Sequence, residues 1–338
     1  MRLLVTGGAG YIGSVCTALL IEAGHTVTVL DDLSTGHRDA VHPDAAFVER
    51  RVHDLVIDSP FDAVLHYAAS SLVAESVAKP EKYWENNVLG AMRLLAAMRA
   101  AGVPRLVFSS TAAVYGDAGS EPIREDHPAM PVNPYGDSKL AIDRMIAAEC
   151  AAHGLGAASL RYFNVGGAYA GYRERHDPET HLIPNLLRGL TTGQVPSVFG
   201  TDYPTRDGTC VRDYLHVVDL ARAHIAALQA ISPGEHVVVN LGTGDGYTVR
   251  EVLDAVQRVT GRELQVEEKP RRAGDPPVLV AANQRAVDVL GWRPERGLDD
   301  IVAERPVFKD FALHLPQGPG LGLEIDEDKL RHYRRKAG

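Results

Sequence analysis

Apolar residues in the first half of the chain fall into short runs, each followed by a longer stretch with helical spacing. "RLLVTGG" (2–8) predicts a strand, and "GSVCTALLIEAGH" (13–25) predicts a helix ending at Gly24. "TVTVLDD" (26–32) is the next strand, followed by "DAVLHYAA" (62–69). A long helix is expected through "KYWENNVLGAMRLLAAMRAAG" (82–102), then a strand at "RLVFSST" (105–111). A second long helix starts near Tyr135 and runs to Gly154, and "GAASLRYFNV" (156–165) reads as another strand. Val- and Leu-rich strands separated by helices predict an α/β fold built on a doubly wound parallel sheet. Near residue 170 the pattern breaks into shorter elements between Gly- and Pro-rich turns, as in "FGTDYPTRDGT" (199–209) and "EKPRRAGDPP" (268–277). The expected organisation is a nucleotide-binding domain over 1–170 and a smaller mixed α/β domain over 171–314. Interleaving of the two stays open. An extension over 315–338 begins Gly/Pro-rich and ends charged.

Within this pattern, "VTGGAGYIG" places Gly7, Gly10 and Gly13 as GxxGxxG between the first strand and the first helix. Such a turn lets the backbone approach a pyrophosphate, which the unpaired amides of the helix N-terminus can hold. Asp31 closes the second strand, where a carboxylate can bind ribose hydroxyls. Asp31 and Asp32 would repel a 2′-phosphate, so NAD is expected rather than NADP. The sheet is therefore expected to be of the Rossmann type.

Composition narrows the classes. The 338 residues are 45% hydrophobic with a formal charge of −9, enough for a sizeable core and unlike a general nucleic-acid binder. Cys16, Cys150 and Cys210 form no CxxC or zinc spacing, and the 14 histidines include no HExxH, so free thiols and no metal site are expected. No apolar stretch has signal or membrane length, so a soluble cytoplasmic protein is expected.

"NPYGDSK" (133–139) sets Tyr135 four residues before Lys139, on one face of a helix. By itself this spacing fits an ordinary solvated pair as well as a lysine poised beside a phenol.

The glycine spacing, "SSTAAVYG" (109–116) and "YGDSK" (135–139) together resemble the extended short-chain dehydrogenase/reductase family. "KPEKYWENNVLGAMRLL", "RYFNVGGA", "HLIP", "VFGTDYPTRDGTCVRDYLHVVDLA" and "RRAGDPP" resemble its UDP-glucose 4-epimerases, in order, over residues 1 to about 300. The resemblance implies reversible, NAD-dependent inversion at C4 of a UDP-hexose through a 4-keto sugar. It implies Tyr135 as base, Lys139 as electrostatic support and Thr111 as a hydrogen-bonding partner of the reacting hydroxyl. Beyond the glycines, implied cofactor contacts are Tyr11, Ile12, Asp31, Asp32, Leu33, Ser34, Thr35, Gly36, Val52, Tyr67, Ala68, Ala69, Ser71, Asn86 and Phe163, with Tyr135 and Lys139.

Implied substrate contacts are Thr111, Tyr135 and Asn164, a diphosphate clamp of Arg212 and Arg272, and a uracil side of His181, Leu182, Ser197, Val198 and Phe199. Tyr214 and Asp275 follow as polar contacts, and Leu279 as a gate beside the sugar 2-position. A homodimer through helices 82–101 and 138–153 is also implied. Ala112 and Ala113 stand where dehydratases of the family carry an acidic pair, which favours simple epimerisation. Three departures concern binding only: Arg51–Val52 replace an Asp near the adenine, with Asp54 as a stand-in. Ser71 stands where some epimerases have a lysine, and His181 replaces an Asn. A dehydratase, decarboxylase or reductase on another nucleotide sugar, and an inactive NAD-binding relative, remain as alternatives.

Overall fold

The computed structural model describes residues 1–119, 121–175, 179–272 and 275–303, together with the backbone of a hairpin in which Val307–Lys309 pairs antiparallel with Ala312–His314. The expected extension over 315–338 lies outside the described residues.

Seven strands form the central sheet: β1 (Arg2–Thr6), β2 (Thr26–Asp31), β3 (Ala46–Glu49), β4 (Ala63–His66), β5 (Arg105–Thr111), β6 (Gly156–Tyr162) and β7 (His236–Leu241). Their order is β7-β6-β5-β4-β1-β2-β3, and every pairing is parallel. All four residues of β4 are buried, as are six of the seven in β6. That explains their continuous apolar runs, since helices cover both faces. Helices Tyr11–Glu22 and Val217–Ala230 contribute Val15, Leu20, Leu220 and Ala227 to one core layer. Helices Gly90–Ala101 and Pro134–His153 contribute Leu94, Met98, Ile142 and Ile146 to the other. Strand order reverses between β1 and β4, which opens a crevice at the carboxyl ends of the strands.

The boundaries follow local chemistry. The helix expected over 13–25 runs Tyr11–Glu22, and Gly24 turns the chain with φ 82°. Asn133 caps helix Pro134–His153 by accepting the Gly136 N–H at 2.9 Å, Pro134 opens the first turn, and Gly154 ends it at φ 72°. The helix expected over 82–102 is broken by a π turn at Trp84–Leu89, between α segments Pro80–Tyr83 and Gly90–Ala101. The strand expected over 156–165 divides: β6 ends at Tyr162, and Asn164–Gly166 pairs with Tyr214–His216 in a separate sheet.

Beyond residue 170 the chain serves two units. Helices Leu182–Thr192, Val249–Thr260 and Leu298–Val302 build a smaller core from Ile183, Leu186, Val252, Val256 and Ile301. Between them, helix Val217–Ala230 and β7 return to the large sheet.

Candidate active site

The first cavity, about 700 Å³, lies along the crevice. Its floor is the glycine turn after β1. Gly7 has φ 76°, and a Cβ there would stand 2.5 Å from the Ala68 amide nitrogen. A Cβ on Gly13 would stand 2.2 Å from the Gly7 carbonyl oxygen. The turn is thus as tight as the sequence spacing implied. Helix Tyr11–Glu22 begins with no side-chain cap and no acidic residue in its first turn, so its positive end stays open toward the cavity.

Asp31 sits at the tip of β2 and is almost fully buried. One carboxylate oxygen accepts the Ala9 N–H at 3.0 Å, the other the Leu33 N–H at 2.9 Å. Burial pushes its pKa up, the two amides hold it down, and Asp32 adds to the rise. Asp32, Ser34 and Thr35 line the cavity. Leu33 and Gly36 do not: Leu33 takes a left-handed φ of 57°, and Gly36 packs against Ala9 and Asp31, so both shape the turn. Tyr11, Ile12, Val52, Tyr67, Ala68, Ala69, Ser71, Asn86 and Phe163 all line the wall. At the far end Arg50, Arg51 and His53 flank Val52; Asp54, the expected stand-in, is not on the lining.

Tyr135, Lys139 and Thr111 meet at the other end of this cavity. Lys139 is 2% exposed; its ammonium donates to the Ser109 carbonyl at 2.8 Å and lies 4.8 Å from the centre of the Phe108 ring. Burial pulls its pKa down to about 7, opposed by the negative charge of Asp143 one turn on. Burial raises the Tyr135 phenol, and a hydrogen bond with Thr111 lowers it. Thr111 also accepts the Ala113 N–H at 3.2 Å, which fixes its hydroxyl at the end of β5. The four-residue spacing of Tyr135 and Lys139 therefore belongs to a buried, polar cleft, not to a solvated helix face.

Sequence reasoning missed the supports of this cluster. The Ser109 hydroxyl is in short contact with the Tyr162 phenol. Asn87, held inside by the π turn, donates to the Ser70 carbonyl at 3.0 Å and to the Ser138 hydroxyl at 3.1 Å. That joins the cavity wall to the helix carrying Lys139. Behind Lys139, Arg161 donates to Asp143 at 2.9 Å, with both side chains buried. The only sequence sign of these groups was polar residues in otherwise apolar elements.

A second cavity, about 620 Å³, shares Asn164, Val165, Glu174 and His181 with the first, so the two adjoin. Leu182, Ser197, Val198, Phe199, Arg212, Tyr214, Arg272 and Asp275 line it. Arg212 pairs with Asp275 at 2.5 Å, and the Arg272 guanidinium lies 3.9 Å from the centre of the Phe199 ring. Asn164 donates its amide to the Asp213 carbonyl at 3.1 Å. His181 lies between Glu174 at 2.8 Å and Glu179 at 3.1 Å. Burial opposes its charge, but both carboxylates outweigh burial and hold the imidazolium to about pH 10. Leu279 lines neither cavity; it packs on the cluster of Val114, Tyr115, Ile123 and Leu140, against which Phe163 of the first cavity's wall also packs, and it pairs in register with Arg212 of the second.

Residues 3–242 match the NAD dependent epimerase/dehydratase family. A UDP-glucose 4-epimerase of Streptomyces lividans is 54% identical over 90% of this chain and 94% of its own length.

The chain belongs to the NAD dependent epimerase/dehydratase family.

This epimerase/dehydratase superposes on a UDP-glucose 4-epimerase from Brucella ovis in complex with NAD, with a TM-score of 0.85 and 43% identity over 93% of this chain and 99% of that one. It also superposes on a UDP-glucose 4-epimerase from Bifidobacterium longum in complex with NAD+ and UDP, with a TM-score of 0.82 and 34% identity, over 89% of this chain and 96% of that one. Among the described residues of the epimerase/dehydratase, no helix is long and apolar enough to cross a membrane. Its three cysteines are buried and unpaired.

Proposed function

We propose that the protein interconverts UDP-galactose and UDP-glucose by NAD-dependent inversion at C4. One observation carries the reading: Tyr135, Thr111 and Lys139 line the same cavity as the glycine turn and Asp31, and that cavity adjoins a second, arginine-lined one. The first cavity fits NAD on its own geometry. A side chain at Gly7 or Gly13 would collide with the backbone that forms the turn, the helix end is uncapped, and Asp31 keeps lone pairs beyond its two amide bonds. When bound, NAD supplies a hydride acceptor and donor for C4.

The chain's own residues do the rest. Tyr135 takes the proton of the 4-hydroxyl: burial raises its phenol above the usual value, the hydrogen bond with Thr111 works against that rise, and an ammonium one helical turn on, that of Lys139, favours the phenolate. A lysine with its pKa near 7 keeps that charge only in part at neutral pH, so its field is sensitive to the groups behind it. The buried Ala112 and its neighbour Ala113 offer no second acid or base, which leaves inversion as the chemistry the site can complete. Arg212 and Arg272, both on the second cavity's wall, hold the diphosphate of the UDP-sugar, since guanidinium groups match phosphate oxygens. Conversion of UDP-galactose to UDP-glucose without net cofactor reduction tests the reading.

Two further parts belong to it. The protein pairs as a homodimer through the helices at 82–101 and 138–153, where Trp84 and Met92 are 45% and 47% exposed. Leu95, Met98, Leu140, Ile142 and Ile146 are buried in the chain's own cores, so the apolar surplus left for a partner is smaller than their number in sequence implied. Three buried free thiols suit the cytoplasm.

A further inference from the structure

The second cavity carries more positive charge than its two expected arginines supply. Arg173 and Arg188 line it as well. Arg188 stands on helix Leu182–Thr192, one turn beyond Pro184 and Asn185, which line the same wall. Leu186 and Gly189 on the same helix are buried. The Arg188 side chain is half-buried, and among the described residues no carboxylate, carbonyl or ring partners its guanidinium. Arg212, by contrast, is neutralised by Asp275.

Charge bookkeeping over the wall makes the point sharper. Arg173, Arg188, Arg212, Arg272 and the protonated His181 face Glu174, Glu179 and Asp275. The surplus is two positive charges, in a chain whose formal charge is −9. Without Arg173 and Arg188 the wall would be neutral. A half-buried guanidinium with no protein partner is a donor fork left for a ligand, and its geometry suits phosphate oxygens.

We infer that Arg188 is a third diphosphate-binding arginine of the substrate cavity, supplying net charge that Arg212, already paired, does not. The inference rests on the nucleotide-sugar reading above. It names a residue on a rigid helix, where its position does not depend on a loop.

The test is titration calorimetry on the full chain saturated with NAD, using uridine, UMP and UDP as probes. Arg188→Gln is expected to weaken UDP binding roughly tenfold, at the low end for a charge-assisted hydrogen bond because the site is half-open. Uridine binding should be unchanged, and raised salt should shrink the difference between wild type and variant. Arg188→Lys should recover part of the loss. The melting temperature of Arg188→Gln should match wild type, since no protein partner is removed. If Arg188→Gln binds UDP as wild type does, or loses uridine and UDP equally, the inference is overturned while the nucleotide-sugar reading stands. If wild type binds UDP no better than uridine, both fall.

Discussion

Gly13→Ala isolates the nucleotide turn from every other part of the protein. The backbone at Gly13 is helical and tolerates any residue, so the substitution tests space alone. The added methyl would lie 2.2 Å from the Gly7 oxygen and 2.9 Å from both the Gly7 carbonyl carbon and the Gly8 Cα. Ordinary contact begins at 3.4 Å, so the turn must open by more than 1 Å, and all three obstacles are backbone. Overpacking of this kind costs about 1–3 kcal/mol, which lowers the melting temperature by a few degrees. The greater effect falls on the cofactor, because the displaced backbone is the surface that would meet the pyrophosphate. The expected outcome is folded protein with little NAD released on denaturation, and turnover lost in parallel. Gly24→Ala is the control: its φ of 82° makes alanine strained by about 1 kcal/mol, yet no atom lies within 4 Å of the new methyl. It should lose slight stability and keep its NAD. Full NAD content and turnover in Gly13→Ala would refute the close-approach reasoning.

Three other outcomes are expected. Asp143→Asn leaves Arg161 buried without its carboxylate, a loss of about 3–5 kcal/mol in unfolding experiments. It also removes the charge that holds the Lys139 pKa up, so the decline in turnover as the ammonium deprotonates should begin at lower pH; an unchanged pH–kcat profile would count against this. Leu279→Tyr should shift stability but leave the kcat/KM ratio for UDP-galactose over UDP-N-acetylgalactosamine unchanged, because Leu279 faces the Tyr115–Ile123 cluster; a clear change in that ratio would put it back beside the sugar. Light scattering at micromolar concentration should give twice the chain mass, and Trp84→Glu with Met92→Glu should reduce it to monomer; a wild-type monomer would dismiss the proposed interface.

The parts legible in sequence are those where one local rule decides. The runs buried on both faces announced the parallel sheet, and β5 matches its expected bounds. The glycine turn was legible because strand, spacing and helix coincide within a dozen residues. Other features depend on tertiary contact. β3 is short and mostly exposed at the sheet edge, so it carries little apolar signal. β7 lies within the stretch where turns dominate, and only its pairing with β6 returns it to the large sheet. The π turn at Trp84–Leu89 leaves no mark in propensity, since the residues suit an α-helix equally well. Leu279 carries no local sign of its surroundings: strand pairing sets it beside Arg212, and its side chain packs on the Tyr115–Ile123 cluster.

The chemistry assigned to Tyr135 is tested most directly by following UDP-galactose by proton NMR with NAD-loaded wild type and Tyr135→Phe side by side. The substitution deletes one oxygen, leaves the ring packed at 6.3 Å from Tyr83, and spares the Lys139 contact with Ser109. Wild type should produce UDP-glucose until the two sugars equilibrate, with no accumulation of reduced cofactor. The variant should bind UDP and NAD as before and turn over about 10²–10⁴-fold more slowly. Absence of UDP-glucose from wild type, or a Tyr135→Phe rate within about threefold of it, would contradict the assignment of Tyr135 as the base.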